Sequence, residues 1–221
     1  MFNIQRCHQK LHQAIKTNES RCLICNEKIN TINELLFDEE CICPNCKSQF
    51  IIHRKAYLID GIWYYVLYEY NEFLERLLFQ YKEQNDIALA PVFLKDYQDI
   101  FKKIVKNHSI CVMPSSNERR MKRGFEPNIK LLSNYFVYSP FYKTNDIKQS
   151  SSSNRKEIEE VIQLKLMYPM DQKKKLLFDD VITSGHTMHR GIVLLHPDVV
   201  FLLSAHPEWI ASKSMEKQKK F

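Results

Sequence analysis

The chain has 221 residues, 44% apolar and 26% charged, with a formal charge of +6. That length suits one medium domain plus a small module, or one larger domain, and the apolar share excludes a disordered chain. The longest apolar-looking run, around Ile62 to Tyr68, is too short to span a bilayer, and Met1 to Lys16 lacks the apolar centre of a signal peptide. A cytoplasmic protein without a transmembrane segment is expected. The positive excess permits nucleic-acid or phosphate binding without requiring it.

Residues 1–19 read as an N-terminal extension, 20–54 as a four-cysteine module and 55–221 as the main domain. Cys22-Leu-Ile-Cys25 and Cys43-Pro-Asn-Cys46, with seventeen residues between them, have the spacing of a closed structural zinc site. A two-residue spacer lets a tight turn aim two sulfurs at one ion, and two such turns complete a tetrahedron. Four thiolates and one zinc would lower the charge to about +4. Cys41 is an alternative to Cys43, at the cost of a longer chelate loop to Cys46. Disulfides are the competing reading, disfavoured because nothing points to an oxidising compartment. Cys7 is a bystander, and Cys111, in the apolar run Ile110 to Met113, is a small core residue.

Next come Gln49 to His53 and Ala56 to Tyr70, rich in aromatic and β-branched residues and read as short strands or a hairpin turned at Asp60-Gly61. The tyrosines between Tyr57 and Tyr70 are core by default, with base stacking as the alternative. Phe73, Leu74, Leu77, Leu78 and Tyr81 share one helical face. Pro91 is expected to open another helix carrying Phe93, Leu94, Tyr97, Ile100, Phe101, Ile104 and Val105.

Ser109 to Pro114 reads as a strand. Arg119, Arg120, Lys122 and Arg123 follow, with Gly124 and Phe125. They are read as a phosphate site or as a solvated basic loop. A helical stretch, Ile129 to Phe136, comes next. Phe141 to Lys156 is polar and loop-like: a flap over a site or a plain connection, with Gln149 and Arg155 most able to reach a ligand.

The most informative stretch runs from Lys175 to Met188. A strand, Leu176 to Phe178, is expected to end in Asp179 and Asp180. A loop of Thr183, Ser184, Gly185 and His186 follows, and a helix begins near Thr187. In open α/β sheets ligands sit at the carboxyl ends of strands. Backbone N–H groups at a helix start favour phosphate, and the hydroxyls of Thr183, Ser184 and Thr187 add donors. The two carboxylates suit the hydroxyls of a ribose, or magnesium. A phosphate cradle beside diol acceptors describes a ribose 5-phosphate site. Val199 to Ser204 is another strand, and Lys213 to Phe221 reads as a solvated, frayed tail, with a weak attraction to anionic lipid or DNA as the alternative.

Asp179-Asp180-Val-Ile-Thr183-Ser184-Gly185-His186-Thr187 resembles the phosphoribosyl-pyrophosphate motif of type I phosphoribosyltransferases. With the four cysteines upstream, Tyr81-Lys82, and Arg119 and Arg123-Gly124-Phe125 between, the order resembles the ComF family of competence proteins. The resemblance covers roughly residues 20 to 205. It implies an α/β fold, a mainly parallel sheet of the type I phosphoribosyltransferase kind flanked by helices, with a small N-terminal zinc ribbon. It implies phosphoribosyl-pyrophosphate binding, with magnesium, at Asp179, Asp180, Thr183, Ser184, Gly185, His186 and Thr187. Pyrophosphate or nucleic-acid contact falls to Arg119, Arg120, Lys122 and Arg123. It further implies handling of single-stranded DNA in natural transformation at the inner side of the membrane, with a ComFA-like helicase-type ATPase and a DprA-like DNA-processing protein. A phosphoribosyltransferase acting on an unknown base, and a non-catalytic adaptor, are the competing functions. Three departures stand out: Glu126-Pro127 where the family has Asn-Gln, Met113-Pro114 for a Pro-Val-Pro run, and His186 in place of a smaller residue.

Overall fold

A computed structural model describes residues 21–29, 41–143, 162–164 and 173–221. The chain divides into two compact units, Met1–Gln49 and Phe50–Phe221.

In the first unit, Arg21 and Lys28 form an antiparallel bridge around a turn in which Asn26 takes a left-handed φ of 61°. Helix α1 (Pro44–Lys47) follows, with Cys43 as its N-cap. Ile29 and Ile42 are buried here together with Cys22, Cys43 and Cys46. The buried apolar set among the described residues is small, and small units of this kind usually need a metal or cross-link to hold them.

The second unit begins with the hairpin β1 (Ile52–Ile59) and β2 (Ile62–Glu69). Its two-residue turn is Asp60-Gly61, both at positive φ (49° and 81°), the turn type whose twist matches that of paired strands. Helix α2 (Glu72–Glu83) is capped by Asn71, whose Oδ1 accepts from the Leu74 N–H at 2.9 Å. Leu74, Leu77, Leu78 and Tyr81 are its buried face.

Pro91 does not open an α-helix. Ile87–Phe93 and Lys95–Tyr97 are 3₁₀ turns, and helix α3 starts only at Gln98 (Gln98–Val105). Leu89, Ala90, Val92, Phe93 and Leu94 are all buried. Burial this continuous suits a tight irregular segment better than a one-sided helix, and Pro91 has no N–H for an internal α-helical bond.

Strand β3 (His108–Val112) leads to helix α4 (Asn117–Arg123), so the basic run is helical rather than a loop. The local sequence accounts for this. Ser116 caps the start, accepting from the Arg119 N–H, and Gly124 ends it at φ +74°. Helix α5 spans only Pro127–Leu131, and the helix expected as far as Phe136 stops there. Strands β4 (Val137–Tyr138), β5 (Phe141–Lys143) and β6 (Ile162–Leu164) follow. β5 and β6 pair antiparallel at the two ends of the polar segment, whose Gln149 and Arg155 lie outside the described residues, as does Cys7.

Strand β7 (Lys174–Ile182) runs on through Asp179 and Asp180, so the carboxylates stand within the strand rather than after it. Helix α6 (His186–Leu195), β8 (Val199–Ala205), α7 (Pro207–Ser212) and β9 (Lys217–Lys220) complete the chain. The tail is therefore not frayed: β9 pairs antiparallel with β1, and the Phe221 ring packs 5.0 Å from that of Tyr65.

Among the described residues the main sheet has seven strands in the order β4-β3-β7-β8-β2-β1-β9. The pairs from β4 through to β2 are parallel, and those to β1 and β9 are antiparallel. This is the α/β, mainly parallel architecture expected. One face carries Phe101, Phe178 and Phe201, with Phe178 and Phe201 stacked at 6.0 Å. The other carries Met113, Leu177 and Val200 with Met188 and Trp209. Helix α6 lies close on this face at Gly191. A Cβ there would come within 2.6 Å of Met113 Sδ and 3.1 Å of Leu177 Cδ2. That close seat carries the start of α6 to the end of β7. No helix of the described residues is long and apolar enough to cross a membrane.

Candidate functional site

At the carboxyl ends of β3 and β7 lies a cleft of about 360 Å³. Strand β7 presents Asp179 and Asp180 to it, α2 presents Lys82 and Glu83, and α4 presents Arg119 and Arg123. Asn128 of α5 and Thr187 of α6 complete its polar lining.

The cleft is charged throughout, and its charges are paired. Lys82 Nζ forms an ion pair with Asp180, and Arg123 Nη2 pairs with Glu83. Asp180 and Arg123 are both buried, so these are not screened surface pairs, and breaking either would leave a costly lone charge. The Arg123 Nε is buried without a hydrogen-bond partner, which leaves it one unused donor.

Asp179 sits differently. Its Oδ1 accepts from Asn128 Nδ2 and from the Asp180 backbone N–H, both at 3.0 Å. Those bonds favour the charged form, but burial first and the neighbouring Asp180 second oppose it and push the Asp179 carboxyl up to about 7. Two adjacent carboxylates thus have different environments, one answered by an ammonium and one by amides. Asn128 also donates to the Met113 carbonyl at 3.2 Å, tying β3 to β7. Tyr81, buried beneath, donates its hydroxyl to the Pro127 carbonyl at 2.9 Å, and burial drives its phenol well up. Glu126 accepts from the Ser115 hydroxyl and backbone N–H, closing the loop between β3 and α5.

Of the motif residues, Asp179, Asp180 and Thr187 line the cleft. Thr183, Ser184, Gly185 and His186 form the turn from β7 into α6 but are not part of its lining. Gly185 is the N-cap at φ +83°, its carbonyl accepts from the His189 N–H at 2.8 Å, and Ser184 Oγ lies 3.1 Å from His186 Nδ1. The four cations separate: Arg119 and Arg123 line the cleft, while Arg120 and Lys122 are exposed on α4 outside it. A helix turns successive side chains about 100° apart, so a run of cations that a loop might gather is spread around α4. Glu83 and Asn128 were not singled out from the sequence. A polar Asn between Pro127 and Ile129, in an otherwise apolar stretch, was the available signal.

In the first unit the Sγ atoms of Cys22, Cys25, Cys43 and Cys46 lie within 4.8 Å of one another. Cys25 and Cys43 sulfurs are 3.6 Å apart, against roughly 3.8 Å between ligands of a tetrahedral zinc with 2.3 Å bonds, and far beyond a 2.05 Å disulfide. The four sulfurs could hold one metal ion, and zinc fits the donor set. Cys41 is outside the group; its carbonyl accepts from the Leu23 N–H instead. The Cys46 backbone N–H points at Cys43 Sγ at 3.4 Å, the kind of bond that supports a thiolate ligand.

No family model matches the chain. Two known proteins do. Competence protein ComFC of Streptococcus pneumoniae is 26% identical over 208 residues, covering 79% of this chain and 93% of the relative. Competence protein ComFC of Bacillus subtilis is 24% identical over 195 residues, covering 79% of this chain and 77% of the relative.

Proposed function

We propose that the chain, similar to two ComFC proteins, is a ComF-family competence protein that handles incoming single-stranded DNA and holds a phosphoribosyl-pyrophosphate-type ligand in the cleft above β7. The observation that supports this most is the meeting of two strand-borne carboxylates, Asp179 and Asp180, with Lys82, Arg119, Arg123 and the helix-start hydroxyl of Thr187 in one cleft.

Each part has a chemical use. The carboxylates accept the two hydroxyls of a ribose. The turn Thr183 to Thr187, at the start of the ten-residue α6, offers backbone N–H groups to a 5-phosphate. Arg119 and Arg123 face a pyrophosphate, which magnesium would accompany. Lys82 and Glu83 hold the charged partners apart from water until the ligand's hydroxyls and phosphates replace them. The four cysteines hold a structural zinc. In this reading the protein works at the inner face of the cell membrane with a ComFA-like ATPase and a DprA-like protein.

The test is fluorescence anisotropy of labelled single-stranded DNA, with and without magnesium phosphoribosyl pyrophosphate, on the parent chain and Asp180→Ala. We expect salt-sensitive DNA binding whose affinity shifts with the ligand only in the parent. Absence of DNA binding removes the DNA-handling half. A parent that binds DNA but ignores the ligand removes the ligand half. Release of pyrophosphate on adding a nucleobase would make the cleft a transferase site instead.

A further inference from the structure

The sheet edge formed by β9 is away from the cleft residues, and its composition is unusual. The strand reads Lys217-Gln-Lys219-Lys220, all four exposed. Register places Lys219 beside Ala56 and Lys217 beside Leu58 on β1, and these in turn pair with Tyr65 and Trp63 on β2. Cross-strand partners share a face of the sheet, so Lys217, Lys219, Trp63 and Tyr65 all project to one side. Lys219 Nζ lies 4.0 Å from the centroid of the Trp63 ring and 5.3 Å from that of Tyr65. Both rings are half-buried, with the ammonium as a cover. Trp63 and Tyr65 are two residues apart, about 6.6 Å along the strand.

On the reverse side of the same edge Lys55 stands directly opposite Lys220. Like charges directly across a ladder destabilise it. No ion pair among the described residues neutralises Lys55, Lys217, Lys219 or Lys220. Edge lysines can serve only to prevent pairing with other chains. That purpose accounts for the charge but needs neither the two rings under Lys219 nor a repulsive pair behind it. An anionic strand answers all three: its phosphates relieve the lysines and its bases stack on the rings.

We propose that the β1–β2–β9 edge is the surface on which this protein holds single-stranded nucleic acid, with bases on Trp63 and Tyr65 and phosphates on Lys217 and Lys219. The inference rests on the DNA-handling reading above and moves its contact from α4 to the sheet edge. Lys219 leaves the Trp63 ring for a phosphate, and a base takes its place. The exposed cations of α4, Arg120 and Lys122, are not required.

The full chain, zinc-loaded, is titrated into labelled oligothymidylate, which has no base-pairing complication. Lys217→Glu with Lys219→Glu should weaken binding at least tenfold and flatten the slope of log affinity against log salt by about 1.4, the share of two phosphates on a single strand. Arg120→Glu with Lys122→Glu should stay within about twofold of the parent. A second readout needs no substitution in the binding form. The chain has 2 tryptophans, and Trp209 is buried, so unlabelled oligothymidylate should quench the fluorescence of Trp63. Trp63→Phe should lose that quenching. If the parent binds DNA while the Lys217/Lys219 pair variant binds equally well and Trp63 is not quenched, the edge assignment is overturned and the lysines only guard the edge. If the parent does not bind at all, the DNA-handling reading fails and this surface fails with it.

Discussion

Asp179 is where position and protonation meet. It lies next to a carboxylate that has an ammonium, while its own partners are amides. Its raised folded-state value sets the sign of a pH effect. A carboxyl that titrates higher when folded stabilises the fold below its unfolded value, near 4, and that contribution is lost as pH rises through about 7. Asp179→Asn removes this titration. Urea unfolding of the two proteins across pH 4 to 8 should show the variant gaining on the parent as pH rises, with the gain levelling above about 7. A difference independent of pH would contradict the environment described for Asp179. Gly124 is held by its backbone conformation alone. Its φ is +74° and an added Cβ would meet nothing within 4 Å, so only backbone strain opposes a side chain there. Gly124→Ala should cost about 1–2 kcal/mol in unfolding free energy, the price of a left-handed alanine.

Among the elements, β9 is the one whose behaviour its own sequence least foretells. Lys217-Gln-Lys-Lys has no apolar face, yet it is a strand because its neighbours make it one. β1 offers an open ladder, Phe221 docks on Tyr65, and Arg54 Nε donates to the Phe221 carbonyl at 2.8 Å. Removing the Phe221 ring, which leaves the Arg54 bond to the main-chain oxygen in place, should loosen the strand without melting the sheet. In Phe221→Ala, amide hydrogen exchange at Lys217 to Lys220 should rise well above that of the parent, while β7 and β8 stay protected. The opposite case is Phe201, in the middle of the sheet between Phe101 and Phe178. Phe201→Ala should cost about 3–5 kcal/mol, measured by denaturant unfolding, because its cavity would lie under rigid strands.

On the scale of the whole molecule, the two units depend on different forces. The second is held by a seven-stranded sheet with a packed face on either side. Among its described residues the first buries Ile29 and Ile42 beside four clustered sulfurs, so its order should follow a bound metal ion. Metal analysis should find about one zinc per chain. Chelation should expose the thiols of Cys22, Cys25, Cys43 and Cys46 to a thiol reagent while leaving most of the far-ultraviolet signal intact. Loss of the whole signal on chelation would mean that the sheet also depends on the ion.

Much of the site was legible in residue order because its parts are local. A two-residue spacer positions two sulfurs whatever surrounds it, Asp60-Gly61 makes its turn from its own dihedrals, and a hydroxyl-rich turn between strand and helix is written in consecutive letters. The family order of cysteines, Arg-Gly-Phe and paired acids was legible for the same reason. Other features depended on partners distant in sequence. Whether Arg119 or Lys122 reaches the cleft depends on helical phase set by the Ser116 and Gly124 caps and on where α4 docks. Glu83 matters because folding brings it to Arg123, 40 residues away, and Asn128 because it meets Asp179, 51 residues away. Pro91 lost its helix to the burial of its neighbours Leu89, Ala90, Val92, Phe93 and Leu94, and the lysine-rich tail gained a strand from an unpaired edge. Local chemistry thus determined the cysteine cluster, the turn and the paired acids. The tertiary fold alone decided which charges meet, because the free energy of an ion pair or an edge strand belongs to two segments and is written in neither.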